Sequence, residues 1–215
     1  MNNNIFCSWS GGKDSCLSLF KAIGNGYSPK ALVTMMIEDG KYSRAHKLSK
    51  AVLKKQANAI GLPIIMRPTS WENYEHTFSE VIKELKQDGI KKGVFGDIDL
   101  QEHWDWVEKL AANNDISFLE PLWKMERDAV IKEFIENGFK AIIIAVKEEV
   151  LVKKYLGQEL SLKLLEELKK EGIDTAGEEG EYHTFVYAGP IFSKQVEFVL
   201  GGEKIIDGYR FLDIL

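Results

Sequence analysis

Short apolar runs alternate with stretches of helical periodicity as far as residue 147, and this alternation restricts the fold more than any single motif. Residues 5–9, 31–37, 63–66, 92–96 and 140–146 read as strands, and 14–23, 44–60, 74–87, 101–113 and 124–136 as helices. Glycines at 11–12, 24, 26, 61 and 138 punctuate them. Strands joined by helices through right-handed crossovers form a parallel sheet with helices on both faces. The expected class is therefore α/β, with a Rossmann-like parallel sheet of five strands. The run Ala141-Ile142-Ile143-Ile144-Ala145-Val146 is apolar on both faces, as a central parallel strand must be, and is expected to be the fifth.

The pattern changes near Glu148. A helix is expected over residues 160–171, then a Gly/Glu-rich segment at 172–181, then strand-like runs at 184–187, 196–200 and 204–206. This divides the chain into a first domain, residues 1–147, and a smaller α+β domain, residues 148–215. A chain of 215 residues, 45% of them hydrophobic, has enough core to fold without disulfides, and Cys7 and Cys16 are too few to staple it. No apolar run approaches the ~20 residues of a membrane span, and Met1-Asn2-Asn3-Asn4 has no basic leader region. A soluble, cytoplasmic protein is expected, with a homodimer left open. The net charge of −5 argues against a stable nucleic-acid partner. The only arginines are Arg44, Arg67, Arg127 and Arg210, so phosphate binding must lean on lysine and backbone amides.

Ser10-Gly11-Gly12-Lys13-Asp14-Ser15 lies between the first strand and the first helix, where an α/β sheet presents ligand sites. Glycine lets backbone N–H groups approach an anion closely, and the helix start adds unpaired amides and its positive dipole end. Lys13 supplies a cation, and Ser10 and Ser15 supply hydroxyls. A carboxylate at Asp14, in a turn otherwise built for anions, suits a Mg²⁺ ion bridging phosphates. The spacing is neither Walker A nor G-x-G-x-x-G. A plain Gly turn capped by Ser or Asp is the alternative, and the Lys-Asp-Ser continuation weighs against it.

A second constellation runs from Gly177 through Glu178, Glu179, Gly180, Glu181, Tyr182, His183 and Thr184 to Phe185, a Gly-broken acidic loop opening a strand. Strand alternation puts Glu181, His183 and Phe185 on one face and Tyr182 and Thr184 on the other. Glu178 and Glu181 suit binding of an amine or ammonium, a metal, or a general-base role. The alternative is a solvated acidic hairpin. His46, His76 and His103 have no ligand spacing and read as surface or packing residues. Trp104 and Trp106 cannot share a helix face, so one is expected in the core and the other at the cleft.

The SGGKDS segment resembles the pyrophosphate-binding loop of the ATP pyrophosphatase superfamily, whose members cleave ATP to AMP and pyrophosphate while adenylating a substrate oxygen. Together with the acidic loop, Gly96-Asp97-Ile98, Pro121-Leu122-Trp123 and Gly138-Phe139-Lys140-Ala141, it resembles the diphthine–ammonia ligase family over nearly the whole chain. That resemblance implies an adenine-nucleotide alpha-hydrolase-like domain followed by a small substrate domain. It implies ATP-dependent amidation of a carboxylate by ammonia, with Mg²⁺ as the metal. By the same resemblance, Ser10, Gly11, Gly12, Lys13, Asp14 and Ser15 hold the phosphates, with Lys13 and Asp14 catalytic and Asp14 on the metal. The backbone near Met35 and Met36 meets adenine, Gly96 passes close to the nucleotide, and Asp97 contacts metal or substrate. Gly177, Glu178, Gly180, Glu181, Tyr182, His183 and Thr184 form the substrate side, with Glu178, Glu181 and His183 catalytic. Two positions depart from the family's acidic motif: His183 stands at a Glu and Glu179 at a Gly. The E-Y-H-T variant is similar to a bacterial branch associated with cobalamin-salvage carboxylates. A tRNA-modifying enzyme and a non-catalytic AMP- or ATP-binding module are the competing classes. The first lacks a basic surface here, and the second has no use for the acidic loop.

Overall fold

The computed structural model describes residues 3–150 and 153–215; Met1 and Asn2, part of the N-terminal reading, lie outside the described residues. Ile5, Phe6 and Cys7 are consecutive and fully buried, which makes β1 (Asn4–Ser8) a strand covered on both faces. It pairs in parallel with β2 (Ser28–Met36) on one side and β4 (Lys92–Val94) on the other. β3 (Ile64–Pro68) and β5 (Ser117–Leu119) complete a parallel sheet of order β3-β2-β1-β4-β5. The chain winds outward from β1 to β3 and returns beside β1 at β4, so strand order reverses there and a crevice opens at the carboxyl ends.

Side-chain alternation sorts this sheet into two cores. Ile5, Cys7 and Leu32 pack with Leu17 and Leu19 of α1 (Lys13–Gly24) and Val52 and Leu53 of α2 (Lys50–Ile60). Phe6, Ala31 and Val33 face the opposite way, onto Phe78, Val81 and Ile82 of α3 (Tyr74–Gln87) and Val107 and Leu110 of α4 (Gln101–Asn114). Cys7 and Cys16 are free and buried, and burial pushes both thiols up, so neither is a ready nucleophile.

The second half corrects one expectation. The 140–146 run, expected as the fifth parallel strand, is β6 (Lys140–Lys147) and pairs antiparallel with β7 (Tyr182–Ala188) and β9 (Tyr209–Ile214). With β8 (Leu200–Ile206) it forms a separate sheet of order β7-β6-β9-β8. The fifth parallel strand is β5, only three residues long and too short to register as periodicity. A division after residue 147 therefore leaves a central strand of the second sheet with the first unit. Its apolar faces are covered in the main core, where Ile142 and Phe185 share one cluster with Leu17, Val52, Phe134 of α5 (Arg127–Glu136) and Leu165 of α6 (Leu162–Lys170). Three helices start later than expected, α6 among them, at Leu162 rather than 160. Ser49 caps α2, its hydroxyl accepting from Val52 N at 3.3 Å, so residues 44–49 form a loop; α5 begins at Arg127 rather than 124. Of the run at 196–200, only Leu200 is in a strand.

Candidate active site

The glycine turn is built to a fixed shape. Gly11 has φ +81°, and a Cβ there would lie 2.6 Å from Gln56 Oε1 and 2.7 Å from Leu48, so only glycine fits. Gln56, fully buried on α2, donates from Nε2 to Gly11 O (2.9 Å) and Val186 O (2.7 Å), while Trp9 Nε1 donates to its Oε1 (3.2 Å). Val186 N donates to Gly11 O, and Lys13 N to Thr184 Oγ1, both at 3.1 Å. The turn is thus held between α2 and β7, and the second sheet is attached to the phosphate-type loop itself. Gly96 closes the other side: a Cβ would lie 3.1 Å from Asp14 C and Ser15 N, so the β4 loop runs directly against the start of α1.

These elements enclose a cavity of about 680 Å³ at the β1/β4 crevice. One end carries Ser10, Lys13, Asp14, Ser15, His46, Tyr182, His183 and Thr184. Lys13 is buried, with Nζ 2.8 Å from Asp14 Oδ2; Asp14 Oδ1 is also buried and has no hydrogen-bond partner among the described residues. Ser10 and Ser15 hydroxyls lie 3.1 Å apart, and Gly12 N donates to Ser10 Oγ at 3.2 Å. His46 Nδ1 donates to Thr184 O at 2.8 Å, and its ring lies tilted 4.7 Å from that of His183, on which Tyr209 stacks at 5.6 Å. Burial, with Lys13 nearby, depresses His46 to about 4 and holds His183 well below the usual imidazole range. Burial thus weakens both imidazoles as bases.

The other end is aromatic and acidic, with Trp71, Tyr74, Phe95 and Trp106 beside Glu72, Glu75, Asp97 and His103. Tyr74 stacks on Trp71 at 5.4 Å and lies 5.6 Å from Trp106. His103 Nδ1 is 2.9 Å from Asp97 Oδ1, which raises the histidine's pKa. Glu178 sits between the two ends and its Oε1 accepts from Ile98 N at 3.4 Å. Burial, then the nearby Asp14 charge, pushes its carboxyl to about 7, with Lys13 opposing.

Behind this end, both Glu120 carboxyl oxygens are buried without a hydrogen-bond partner among the described residues, and burial with Asp97 nearby pushes the group to about 8. The folded state therefore holds a proton that the unfolded chain releases near 4.5. This contribution to stability is complete below pH 4.5 and is lost as pH rises to about 8. Glu120→Gln should remove that decline, flattening the melting temperature between pH 5 and 8 relative to wild type; an unchanged slope in a thermal scan would refute it.

Most expected site residues meet here: Ser10, Lys13, Asp14, Ser15, Gly96, Asp97, Gly177, Glu178, Gly180, Tyr182, His183 and Thr184 line one cavity, and Gly11 and Gly12 shape its floor. Three do not. Met35 and Met36 are core side chains outside the cavity lining, and their carbonyls accept from Arg44 N and Thr69 N. Glu181 is buried and does not line the cavity, although its neighbours Gly180, Tyr182, His183 and Thr184 do. Conversely, His46 and His103, expected as surface or packing residues, line the cavity. His46 arrives because residues 44–49 are loop rather than helix, and His103 because α4 starts at the crevice. Trp106 lines the cavity while Trp104 packs on Phe118 and Trp123. Gln56 had one signal, a polar residue on the apolar face of a helix; Trp71 and Glu120 had none.

Residues 4–116 match the family model described as the diphthamide synthase N-terminal domain, and residues 126–214 match the diphthamide synthase C-terminal domain. Diphthine–ammonia ligase of Danio rerio is 29% identical over 217 residues, covering 87% of this chain and 83% of that protein. The human diphthine–ammonia ligase is 26% identical, covering 87% and 79%. That of Schizosaccharomyces pombe is 27% identical over 92% of this chain, which spans only 36% of the longer yeast protein. A solved structure described as a predicted subunit of tRNA methyltransferase from Methanocaldococcus jannaschii superposes with a TM-score of 0.48 at 18% identity, over 90% of this chain and 99% of that one. With both domain models matched in order around one cavity, the chain belongs to the diphthamide synthase family.

Proposed function

We propose that the protein is an ATP-dependent amide ligase acting as a diphthine–ammonia ligase. One observation carries this: the Ser10–Ser15 turn and the Glu178 loop, from opposite ends of the sequence, line the same cavity. The turn end suits the phosphates of ATP, with Lys13, the two serine hydroxyls and the start of α1 supplying positive charge and donors. The partnerless Asp14 Oδ1 suits a hard cation, and Asp14 with phosphate oxygens and water would hold Mg²⁺, which neutralises phosphate charge when bound. Among the described residues no cluster of three or more His, Cys, Asp or Glu forms a self-contained metal site, consistent with a metal that arrives with the nucleotide.

The aromatic, acidic end suits the acceptor. Ring faces beside carboxylates favour a cationic group over an anionic one. In the reaction, an acceptor carboxylate oxygen bonds to the α-phosphorus and pyrophosphate leaves. Ammonia then bonds to the acyl carbon, AMP leaves, and the proton lost from nitrogen passes to Glu178. We place the domain division near residues 120–126, supported by the membership of β6 in the second sheet, and assign the protein to the cytosol, where ATP and ammonia are at hand. No helix among the described residues is long and apolar enough to cross a membrane.

The test is incubation with ATP, Mg²⁺, ammonium and a diphthine-bearing acceptor. AMP and pyrophosphate are expected in equal amounts, dependent on both acceptor and ammonium, with amide formed one for one. Tight ATP binding without AMP under those conditions would indicate a nucleotide-binding module instead.

A further inference from the structure

Arg127 is the first residue of α5 and stands behind the cavity rather than in it. Its guanidinium makes a bidentate pair with Asp99, Nε to Oδ2 at 2.7 Å and Nη2 to Oδ1 at 2.8 Å. Its remaining nitrogen, Nη1, donates to Asp174 Oδ2 at 2.9 Å and reaches Glu179 Oε1 at 3.5 Å. The two strong partners belong to the two loops that meet at the site. Asp99 is two residues beyond Asp97. Asp174 Oδ2 also accepts from the backbone N of Glu178 at 2.9 Å, and its Oδ1 from Ala176 N at 3.0 Å. The loops touch again where Ile98 N donates to Glu178 Oε1, and Lys124 N donates to Ile98 O at 2.7 Å.

We propose that Arg127 is a positioning residue that sets the place of the Glu178 carboxylate, by clamping the acidic loop of the second sheet to the β4 loop of the first. An isolated surface ion pair would carry little weight. Here one planar fork, whose donors have fixed relative directions, joins two loops, and one of its acceptors is the same oxygen that holds the Glu178 amide. A movement of the guanidinium is therefore transmitted to Glu178 through a single intervening carboxylate. Lysine has the charge but no fork, so it can serve one loop but not both.

The inference rests on the role given to Glu178 in the proposed function, and its test has a readout that does not need turnover. Glu178 is followed by carboxyl ¹³C NMR across pH, its signal assigned by its loss in Glu178→Gln. Lys13 and Asp14 from α1, Asp97 and the Ile98 amide from the β4 loop, and His103 from α4 act on this carboxyl or respond to it, and all are retained in every variant. In Arg127→Ala the loop is released toward water and the midpoint should fall from about 7 toward the ordinary range, by about one unit or more. Arg127→Lys should fall part of the way. Asp99→Asn breaks the link from the other loop, keeps Arg127 on Asp174, and should shift the midpoint in the same direction. Amide formation should drop in kcat with the KM for ATP unchanged. An unmoved midpoint in Arg127→Ala or Asp99→Asn, with only a lower melting temperature, would reduce Arg127 to a structural staple. A fallen midpoint in a protein that makes no AMP would uphold the clamp while sinking the ligase reading.

Discussion

Lys13→Ala is expected to lower AMP formation by about 10²–10³-fold or more, the scale associated with losing a preorganised charge partner of the reacting group. Among the described residues Lys13 is the one cation lining the phosphate-type end of the cavity, and it is buried, so its charge acts with little screening. The same substitution leaves the partly buried Asp14 carboxylate without its 2.8 Å partner, which destabilises the turn whatever the chemistry. The two effects separate in the double variant Lys13→Ala/Asp14→Asn. Removing the orphaned charge should recover melting temperature but not AMP formation. Turnover of Lys13→Ala within a few-fold of wild type would remove the turn from catalysis.

The parts legible in the sequence were those where one local rule decides. Gly11 and Gly12 between a buried strand and a helix could hardly be anything but a turn at a sheet crevice, and Tyr74–Gln87 was readable to the residue from its apolar spacing. The failures share a cause. A strand buried on both faces looks the same in a parallel sheet and in a covered antiparallel one, so β6 was assigned to the wrong sheet; what decides is pairing with β7 and β9, a long-range fact. Strand β5, with three residues, has no period to detect. Glu181, expected in the site beside His183, is buried away from the cavity, whereas Gly180, Tyr182, His183 and Thr184 all line it; which of them reaches the opening is decided by packing, not by strand alternation. His46 and His103 could not be found by spacing, since they reach the cavity from loop 44–49 and from the start of α4, which only the tertiary fold brings together.

Glu178→Gln should separate the two halves of the reaction. The amide keeps the size of the side chain and can still lie against Ile98 N, but it cannot take a proton. Adenylation, which needs no base, should proceed, giving one equivalent of pyrophosphate per enzyme, while amide formation falls by about 10²–10⁴-fold. The pH dependence follows from the carboxyl at about 7. Only its ionised form accepts a proton, so the wild-type rate of the second step should rise with pH through 7 and level above 8, with roughly a tenth of the enzyme active at pH 6. Free ammonia is held constant across the series by adjusting total ammonium. In Glu178→Gln that rising limb should disappear. His103, its pKa raised by the hydrogen bond to Asp97, is the rival source of such a limb. His103→Asn distinguishes them: a limb that survives this change and vanishes in Glu178→Gln belongs to Glu178. A limb that vanishes only with His103 gives the proton to the Asp97–His103 pair instead, leaving Glu178 to orient the acceptor.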